Sequence, residues 1–189
     1  MPISKEVLQK YPNKVFVETG TLFGDTVQVA LDCGFEKILT IELNPKRVEM
    51  VKQRFAKEIS DGIIEIFQGD VANEFPSMVD RVKDKATFWL DAHWDDGPMG
   101  KYKCPLPFEL ETILNSGIKT HTILIDDRRI FGGGNWGQGI SEASLIKQLK
   151  QINSEYVIST DHGVIPDDIL VAKIGKKYTE EDVLKEFLS

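Results

Sequence analysis

Short apolar runs alternate with amphipathic segments along most of the chain. The runs are three to six residues long and rich in Val, Ile, Leu and Phe, as expected for strands that are buried on both faces of a parallel sheet. Between them, apolar side chains recur at helical spacing, and Asn44 followed by Pro45 is a typical helix start. The pattern predicts strands at residues 15–17, 38–43, 63–67, 87–90, 122–125, 156–159 and 169–174. It predicts helices at residues 25–31, 45–55, 72–82, 108–114 and 141–152.

The alternation of strand and helix predicts βαβ units, and therefore an α/β fold with an open, doubly wound, mostly parallel sheet. The last two strands are an exception, because only residues 161–168 separate them. This segment contains Gly163 and Pro166 and is too short for a crossover helix, so the two strands should form an antiparallel hairpin. We find no internal repeat, low-complexity tract or linker, and 189 residues fit a single domain, 1–189.

Composition and charge narrow the class of protein. Apolar residues make up 41% and charged residues 28%, which is typical of a folded, soluble domain, and no window is apolar enough to span a membrane. The net charge of −7 argues against a general nucleic-acid binder and against an anionic membrane surface as partner. The N-terminus lacks the apolar segment of a secretory signal, and Cys33 and Cys104 lack the spacing of a disulfide framework or metal site. These features predict a reducing compartment, the cytoplasm.

The turn after the first strand carries two glycines in a G-x-x-x-G arrangement. Gly20 and Gly24 permit a positive φ and a close approach of the backbone to a ligand. The spacing is neither that of the dinucleotide fingerprint nor that of a P-loop, because Leu22 stands where the second fingerprint glycine would be and no Lys-Ser/Thr pair follows. Ligands of α/β sheets bind at such turns, although a glycine pair also fits an ordinary turn.

The next two strands each end near a carboxylate. Glu42 at the end of the second strand could accept hydrogen bonds from both hydroxyls of a ribose, or could serve as a charge near the helix that starts at Asn44-Pro45. Asp70 follows the third strand in a Gly-Asp-Val sequence. It could bond an adenine amino group, or it could be the N-cap of the next helix.

These segments together resemble the cofactor motifs of class I S-adenosylmethionine-dependent methyltransferases. The resemblance extends over nearly the whole chain, and it implies a Rossmann-like, seven-stranded sheet with a C-terminal antiparallel hairpin. It also implies that the first turn surrounds the methionine part of the cofactor, that the second strand holds the ribose and that the third holds the adenine. The residues placed around the cofactor are Glu18, Gly20, Thr21, Gly24, Thr26, Glu42, Asp70 and Val71.

Carboxylates also follow the fourth and fifth strands. Asp91 ends the fourth, and the pair Asp126-Asp127 ends the fifth, so the three side chains converge if these strands are neighbours. Clustered anions repel one another unless they are protonated or bridged by a cation, and an all-oxygen site suits Mg²⁺. Asp126 or Asp127 could also bond only the loop backbone.

This second pattern resembles the metal-dependent, macrocin-type sugar O-methyltransferases. The resemblance implies that Asp91, Asp126 and Asp127 bind the metal and that His93 is the general base. The base in that family is often acidic, so His93 departs from the pattern, and it could instead be an ordinary polar loop residue. The catechol-type enzymes carry a Lys close behind a similar His-Trp, whereas Asp95 and Asp96 follow here, in what also reads as a turn.

Two loops could supply acceptor specificity. Residues 95–107 contain Tyr102, and the Gly-rich loop 131–139 contains Trp136, an apolar platform for a sugar face. Arg128 could bind an acceptor phosphate or could balance the nearby carboxylates. Trp136 and Tyr102 could equally be ordinary loop side chains.

The combined prediction is an S-adenosylmethionine-dependent O-methyltransferase, assisted by a divalent cation, that acts on a sugar, glycan or other vicinal diol. Nucleic acid and membrane are not expected as partners, and the chain could be a homodimer or part of a larger glycan-modifying protein. The alternatives are an NAD-type oxidoreductase and a non-catalytic cofactor-binding module on a similar sheet.

Overall fold

The computed structural model of the chain describes residues 2–93, 100–131 and 140–175. These residues form one seven-stranded sheet in the order β3-β2-β1-β4-β5-β7-β6. Its strands are β1 (Val15–Thr19), β2 (Lys37–Glu42), β3 (Ile64–Gln68), β4 (Ala86–Leu90), β5 (Thr122–Ile125), β6 (Tyr156–Asp161) and β7 (Ile169–Ile174).

Seven α-helices are described. They are α1 (Lys5–Leu8), α2 (Asp25–Asp32), α3 (Pro45–Arg54), α4 (Ala56–Ser60), α5 (Val71–Asp80), α6 (Leu106–Asn115) and α7 (Glu142–Ile152), with a 3₁₀ turn at Arg128–Ile130. Among the described residues, no helix combines the length and the apolar character that a membrane crossing requires.

The predicted fold class is confirmed. Strands β1 to β5 pair in parallel, and β7 pairs antiparallel with both β5 and β6. All seven predicted strands exist, and β4 and β5 are neighbours. The short helices α1 and α4 and the 3₁₀ turn were not predicted, because they are too short to show an apolar repeat. The helix predicted at 45–55 is interrupted at Phe55, whose φ of −116° and ψ of 32° are not helical.

The core lies on both faces of the sheet, because alternate strand residues point to opposite sides. Phe88 and Ile123 pack on one face with α5, α6 and α7, whereas Phe16 and Trp89 pack on the other with α1, α2 and α3. This burial on both sides explains why the strands are continuously apolar rather than alternating.

The strand order reverses direction between β1 and β4, which places a crevice at the C-terminal ends of these two strands. The strand ends are close together there: the Asp91 amide donates to the Thr19 carbonyl at 3.3 Å, and the Asp126 amide donates to the Leu90 carbonyl at 3.3 Å. The residues predicted to bind cofactor and metal follow these strand ends.

Candidate functional site

The glycine turn after β1 leaves no room for side chains at its two glycines. Gly20 has a φ of +86°, and a Cβ atom there would lie 2.8 Å from the Asp91 carbonyl oxygen. Gly24 has a φ of +82°, and its Cβ would lie 2.6 Å from the Phe55 ring. Both positions therefore require glycine, for backbone conformation and for space. The turn is pressed against the end of β4 at the predicted ligand crevice.

A buried hydroxyl network supports this turn from behind. Glu18 is 1% exposed and its Oε2 accepts a hydrogen bond from the Thr40 hydroxyl at 2.7 Å. The hydroxyls of Thr40 and Thr21 are 2.5 Å apart, and Thr26 also bonds to Glu18. Burial raises the pKa of Glu18 to about 7, and the bonds from Thr40 and Thr26 moderate the rise. Glu18, Thr21 and Thr26 thus lie together in the interior beside the turn, and their contact with a cofactor stays a prediction.

Glu42 joins the glycine turn to the end of β2. Its Oε2 accepts a hydrogen bond from the Leu22 amide at 2.8 Å, and its Oε1 accepts one from the Asn44 amide at 2.8 Å. The side chain is 5% exposed. Both sequence interpretations are compatible with this position, because a carboxylate oxygen that accepts one backbone bond can still accept another from a ribose hydroxyl.

Asp70 is the N-cap of α5. Its Oδ1 accepts a hydrogen bond from the Ala72 amide at 3.0 Å, and its Oδ2 accepts one from the Lys101 amide. The segment after β4 therefore returns across the sheet edge to the end of β3. The N-cap alternative describes the observed contacts, and an adenine contact by Asp70 stays a prediction. Val71 is 9% exposed and belongs to the apolar core beside it.

The acidic residues after β4 and β5 form two groups that share Asp127. Ligand atoms of Asp91, His93 and Asp127 lie within 4.8 Å of one another, and so do those of Asp126, Asp127 and Asp168. The predicted trio of Asp91, Asp126 and Asp127 is thus brought to one place, but as parts of two adjoining groups. Asp168, just before β7, was not predicted. Finding it needs the pairing of β7 with β5, in which Leu170 lies opposite Ile125, and no local motif shows that register.

His93 faces this cluster from a buried position. It is 2% exposed, and its Nε2 lies 3.4 Å from Asp127 Oδ2. The contact is long for a hydrogen bond, and within the described residues 2–93, 100–131 and 140–175 neither ring nitrogen has an aligned hydrogen-bond partner. A buried imidazole without an aligned partner can bind a cation or a substrate hydroxyl. Together with the oxygens of Asp91 and Asp127, it forms a set of ligand atoms that fits a divalent cation.

The pKa values of the carboxylates in this cluster are shifted in different directions. Burial, and then the neighbouring Asp126 and Asp127, raise the pKa of Asp91 well above its ordinary value. Burial also raises the pKa of Asp126 to about 6. For Asp127, burial is outweighed by His93 and Arg129, and the pKa is lowered. The cluster is therefore costly as a set of anions, and a bound cation would stabilise it.

Two of the three predicted substrate residues, Arg128 and Tyr102, have partners within the protein. Arg128 forms an ion pair with Glu142, with 2.9 Å between Nε and Oε2, and donates from Nη1 to the Asp167 carbonyl at 3.1 Å. Tyr102 packs against Phe108, with 5.8 Å between ring centroids. Trp136 lies outside the described residues. An acceptor role for these three side chains stays a prediction.

A buried acid that sequence reasoning missed lies near the same edge. Glu109, in the first turn of α6, is 0% exposed, and burial raises its pKa to about 7. Its polar neighbour is the hydroxyl of Thr19, the last residue of β1, which moderates the rise in pKa, although no partner in the described part of the chain meets strict hydrogen-bond geometry with either group. Glu109 stands in an apolar helical repeat, with no motif that marks it.

No protein-family profile matches the chain, and no curated protein sequence matches it significantly. Solved structures do match. The O-methyltransferase TomG from Streptomyces achromogenes, in complex with SAM, is 13% identical over 90% of this chain and 77% of that chain, with a TM-score of 0.59.

Two further matches are structures solved with SAH bound. The SAH-bound Podospora anserina methyltransferase PaMTH1 is 13% identical over 91% of this chain and 76% of its own, with a TM-score of 0.60. The O-methyltransferase from Bacillus cereus, in complex with SAH, is 15% identical over 90% of this chain and 78% of its own, with a TM-score of 0.58. At this identity the likeness shows the fold alone, an α/β, Rossmann-like sheet of seven strands.

Proposed function

We propose that the chain is an S-adenosylmethionine-dependent O-methyltransferase that uses a divalent cation and methylates a hydroxyl of a sugar, glycan or other vicinal diol. The observation that carries the proposal is the position of the glycine turn. Gly20 lies against Asp91 at the sheet crevice, directly beside the partly buried group of Asp91, His93 and Asp127. Similarity in fold to proteins that bind SAM or SAH supports the choice of cofactor.

The cofactor would lie along the ends of β1, β2 and β3. Gly20 and Gly24 allow the backbone to approach the methionine part, Glu42 accepts from the ribose, and Asp70 with Val71 borders the adenine. When bound, S-adenosylmethionine supplies a methyl group already activated as a sulfonium. The protein must therefore align an acceptor oxygen with it and exclude water. The buried Glu18 and its threonines keep the turn in position for this alignment.

The cation would be held by Asp91, Asp126 and Asp127, whose oxygens suit Mg²⁺. A divalent cation at this site would lower the pKa of a vicinal hydroxyl and fix its orientation. The carboxylates would hold the cation, and His93 and Arg129 together outweigh burial and lower the pKa of Asp127, which favours its ionised form. This arrangement favours a neutral diol acceptor over a phosphorylated one, because the site already concentrates negative charge.

His93 would be the general base. Asp127 Oδ2 faces Nε2 at 3.4 Å and favours the tautomer with its proton on that nitrogen. The lone pair on Nδ1 is then available to take the proton of the acceptor hydroxyl. A well-placed base of this kind contributes about 10²–10⁴-fold to the rate.

The test is calorimetric titration of the purified protein with S-adenosylmethionine, with and without EDTA, followed by mass analysis of products on a panel of sugars. We expect cofactor binding in both conditions, and a mass increase of one methyl group only without chelator. A parallel titration with NAD distinguishes the oxidoreductase alternative.

Three outcomes would contradict parts of the proposal. Tight binding of NAD in place of S-adenosylmethionine would contradict the proposed cofactor and favour the oxidoreductase alternative. Methyl transfer at an unchanged rate in the presence of EDTA would contradict the proposed role of the divalent cation. Cofactor binding without transfer to any acceptor would support the non-catalytic module.

A further inference from the structure

The guanidinium of Arg129 lies inside one of the two acidic groups. Its Nη2 is 2.6 Å from Asp127 Oδ1, and its Nη1 contacts Asp168 Oδ2. Asp126 adds to the negative potential at the same guanidinium. The group of Asp126, Asp127 and Asp168 therefore already contains a positive charge supplied by the chain itself.

Asp168 is committed to this internal pairing. Its side chain is 0% exposed, and besides the guanidinium it accepts hydrogen bonds from the Arg129 amide at 3.3 Å and the Val164 amide at 3.1 Å. A buried carboxylate with a charged partner and two backbone donors is fully satisfied. Asp168 thus has no need of an external cation.

The other group has a different environment. Asp127 turns its Oδ2 toward His93, and the imidazole there lacks an aligned hydrogen-bond partner. The φ of +57° at Asp127 places this residue in the left-handed region, so the backbone presents the carboxylate between the two groups. One oxygen of Asp127 is bound to Arg129, and the other remains directed at the Asp91 side.

We propose that Arg129 is the resident cation of the Asp126, Asp127 and Asp168 group, and that it confines the external divalent cation to the side of this group that faces Asp91 and His93, where Asp91, Asp126 and one oxygen of Asp127 are available to hold it. This inference rests on the cation of the proposed function. An arginine is suited to the role because its guanidinium does not deprotonate and its planar fork can bond two carboxylates at once. Arg129 is thus a positioning residue that sets the number and place of bound cations.

The experiment counts bound Mn²⁺ ions by electron paramagnetic resonance, without any assay of methyl transfer. We expect one Mn²⁺ per chain in the wild-type protein and in Arg129→Lys, which keeps the internal charge. We expect two per chain in Arg129→Gln, because the second group is then an uncompensated set of three carboxylates. Arg81→Gln is the matched control: it removes the same charge from an exposed ion pair with Glu65 and should still bind one ion.

The possible outcomes separate this inference from the proposed function. One ion in both the wild type and Arg129→Gln would overturn the role of Arg129 and leave the cation of the proposed function standing. No ion in the wild type and one in Arg129→Gln would support the role of Arg129 and remove the cation from the proposed function. No ion in either protein would overturn both.

A second variant covers the case in which Arg129→Gln does not fold. Arg129→Gln combined with Asp168→Asn removes both charges of the buried pair and so avoids an unpaired buried carboxylate. It also frees Asp127 Oδ1, and we expect Mn²⁺ to bind about threefold more tightly than in the wild type, because the lost positive charge contacts Asp127 directly, whereas the lost negative charge of Asp168 contacts Arg129. Equal or weaker binding in this variant would overturn the proposal.

Discussion

Individual residues of the glycine turn carry two separate constraints. At Gly20 a positive φ is combined with a contact of 2.8 Å from the expected Cβ to the Asp91 carbonyl. Gly34 has a similar φ of +85° but nothing within 4 Å of its Cβ. Gly117 has neither the positive φ nor a close neighbour. The chain therefore offers a graded set of glycines that separates backbone strain from steric contact.

Gly20→Ala should destabilise the protein most and weaken cofactor binding. We expect a loss of roughly 1 kcal/mol for Gly34→Ala, from φ strain alone, and less than about 0.5 kcal/mol for Gly117→Ala. Gly20→Ala should lose at least roughly 2 kcal/mol and bind S-adenosylmethionine at least about tenfold more weakly. Urea unfolding and calorimetry measure the two effects. Equal losses at Gly20 and Gly34 would mean that the contact with Asp91 has no energetic consequence.

Glu109 predicts a pH dependence of stability. In the unfolded chain its carboxyl loses a proton near the ordinary value of 4.5, whereas in the folded protein burial raises the pKa to about 7. Folding therefore favours the protonated form, and the contribution of Glu109 becomes less favourable as the pH rises through this interval. The full cost, above the folded pKa, is roughly 3 kcal/mol.

Glu109→Gln should remove this cost. We expect the variant to match the wild type at pH 4, below the unfolded pKa, and to be more stable at pH 8, by up to roughly 3 kcal/mol in the free energy of unfolding. Glu111→Gln, at an exposed position of the same helix, is the control and should show little difference at either pH. If Glu109→Gln were equally destabilising at both pH values, Glu109 would have a hydrogen-bonding role that does not depend on its proton.

Helix ends connect the elements to the site. The N-terminus of α5 is capped by Asp70, whose second oxygen accepts from Lys101 in the segment after β4. The same side chain thus stabilises a helix, holds a loop and stands where the adenine of a cofactor is proposed. These roles predict different responses to substitution, because the cap needs one acceptor oxygen, which an amide also has, whereas the Lys101 amide and a cofactor adenine need the second oxygen.

Asp70→Asn should separate the cap from the cofactor. Asn is as good an N-cap as Asp but cannot also accept from the Lys101 amide, so Asp70→Asn should cost only that exposed loop contact, whereas Asp70→Ala should cost about 1 kcal/mol more through loss of the cap. If Asp70 accepts from an adenine amino group, Asn places a donor against that donor, and S-adenosylmethionine should bind about tenfold more weakly. Cofactor binding by Asp70→Asn at the wild-type level would leave Asp70 as a cap only.

At the scale of the whole molecule, the net charge of −7 is not spread evenly. Glu18, Glu42, Asp91, Asp126 and Asp127 follow strand ends on one edge of the sheet, and the fold adds Asp168 to them. Such a concentration of buried acids opposes folding unless cations balance it. Arg129 balances part of it internally, and we propose that a divalent cation balances the rest.

Removing one carboxylate should therefore weaken cation binding and raise the stability of the metal-free protein. Without metal, we expect Asp91→Asn to raise the unfolding free energy by about 1 kcal/mol through relief of like-charge repulsion. Mg²⁺ at 100 times its Kd should stabilise the wild type by about 2.7 kcal/mol and the variant much less. Thermal unfolding with and without Mg²⁺ measures both effects, and Asp84→Asn at an exposed site is the control. Equal stabilisation of the two proteins by Mg²⁺ would exclude Asp91 as a ligand.

Sequence patterns were sufficient for most of the fold, because strand and helix periodicity, caps and turn glycines are local properties. The strands were found from apolar runs, α3 from Asn44-Pro45, and the antiparallel end of the sheet from the short connection before Ile169. Helices α1 and α4 were not predicted, since a helix of fewer than two turns shows no apolar repeat along the sequence. The candidate site was found only in part, because its residues are close in space but far apart along the chain.

The sequence by itself determined the α/β class and the sheet edge that carries the carboxylates, whereas the requirement for glycine at Gly20 and Gly24 follows from contacts with Asp91 and Phe55 in the folded chain. Only the tertiary structure decided which carboxylates meet. The pairing of β7 with β5 brings Asp168 to Arg129, and the packing of α6 under β1 buries Glu109 beside Thr19. The physical reason is that periodicity encodes which face a residue occupies, whereas distances between strands depend on register and packing across the whole sheet. Charge balance at the site is set by those distances, and so it emerges only when the chain is folded.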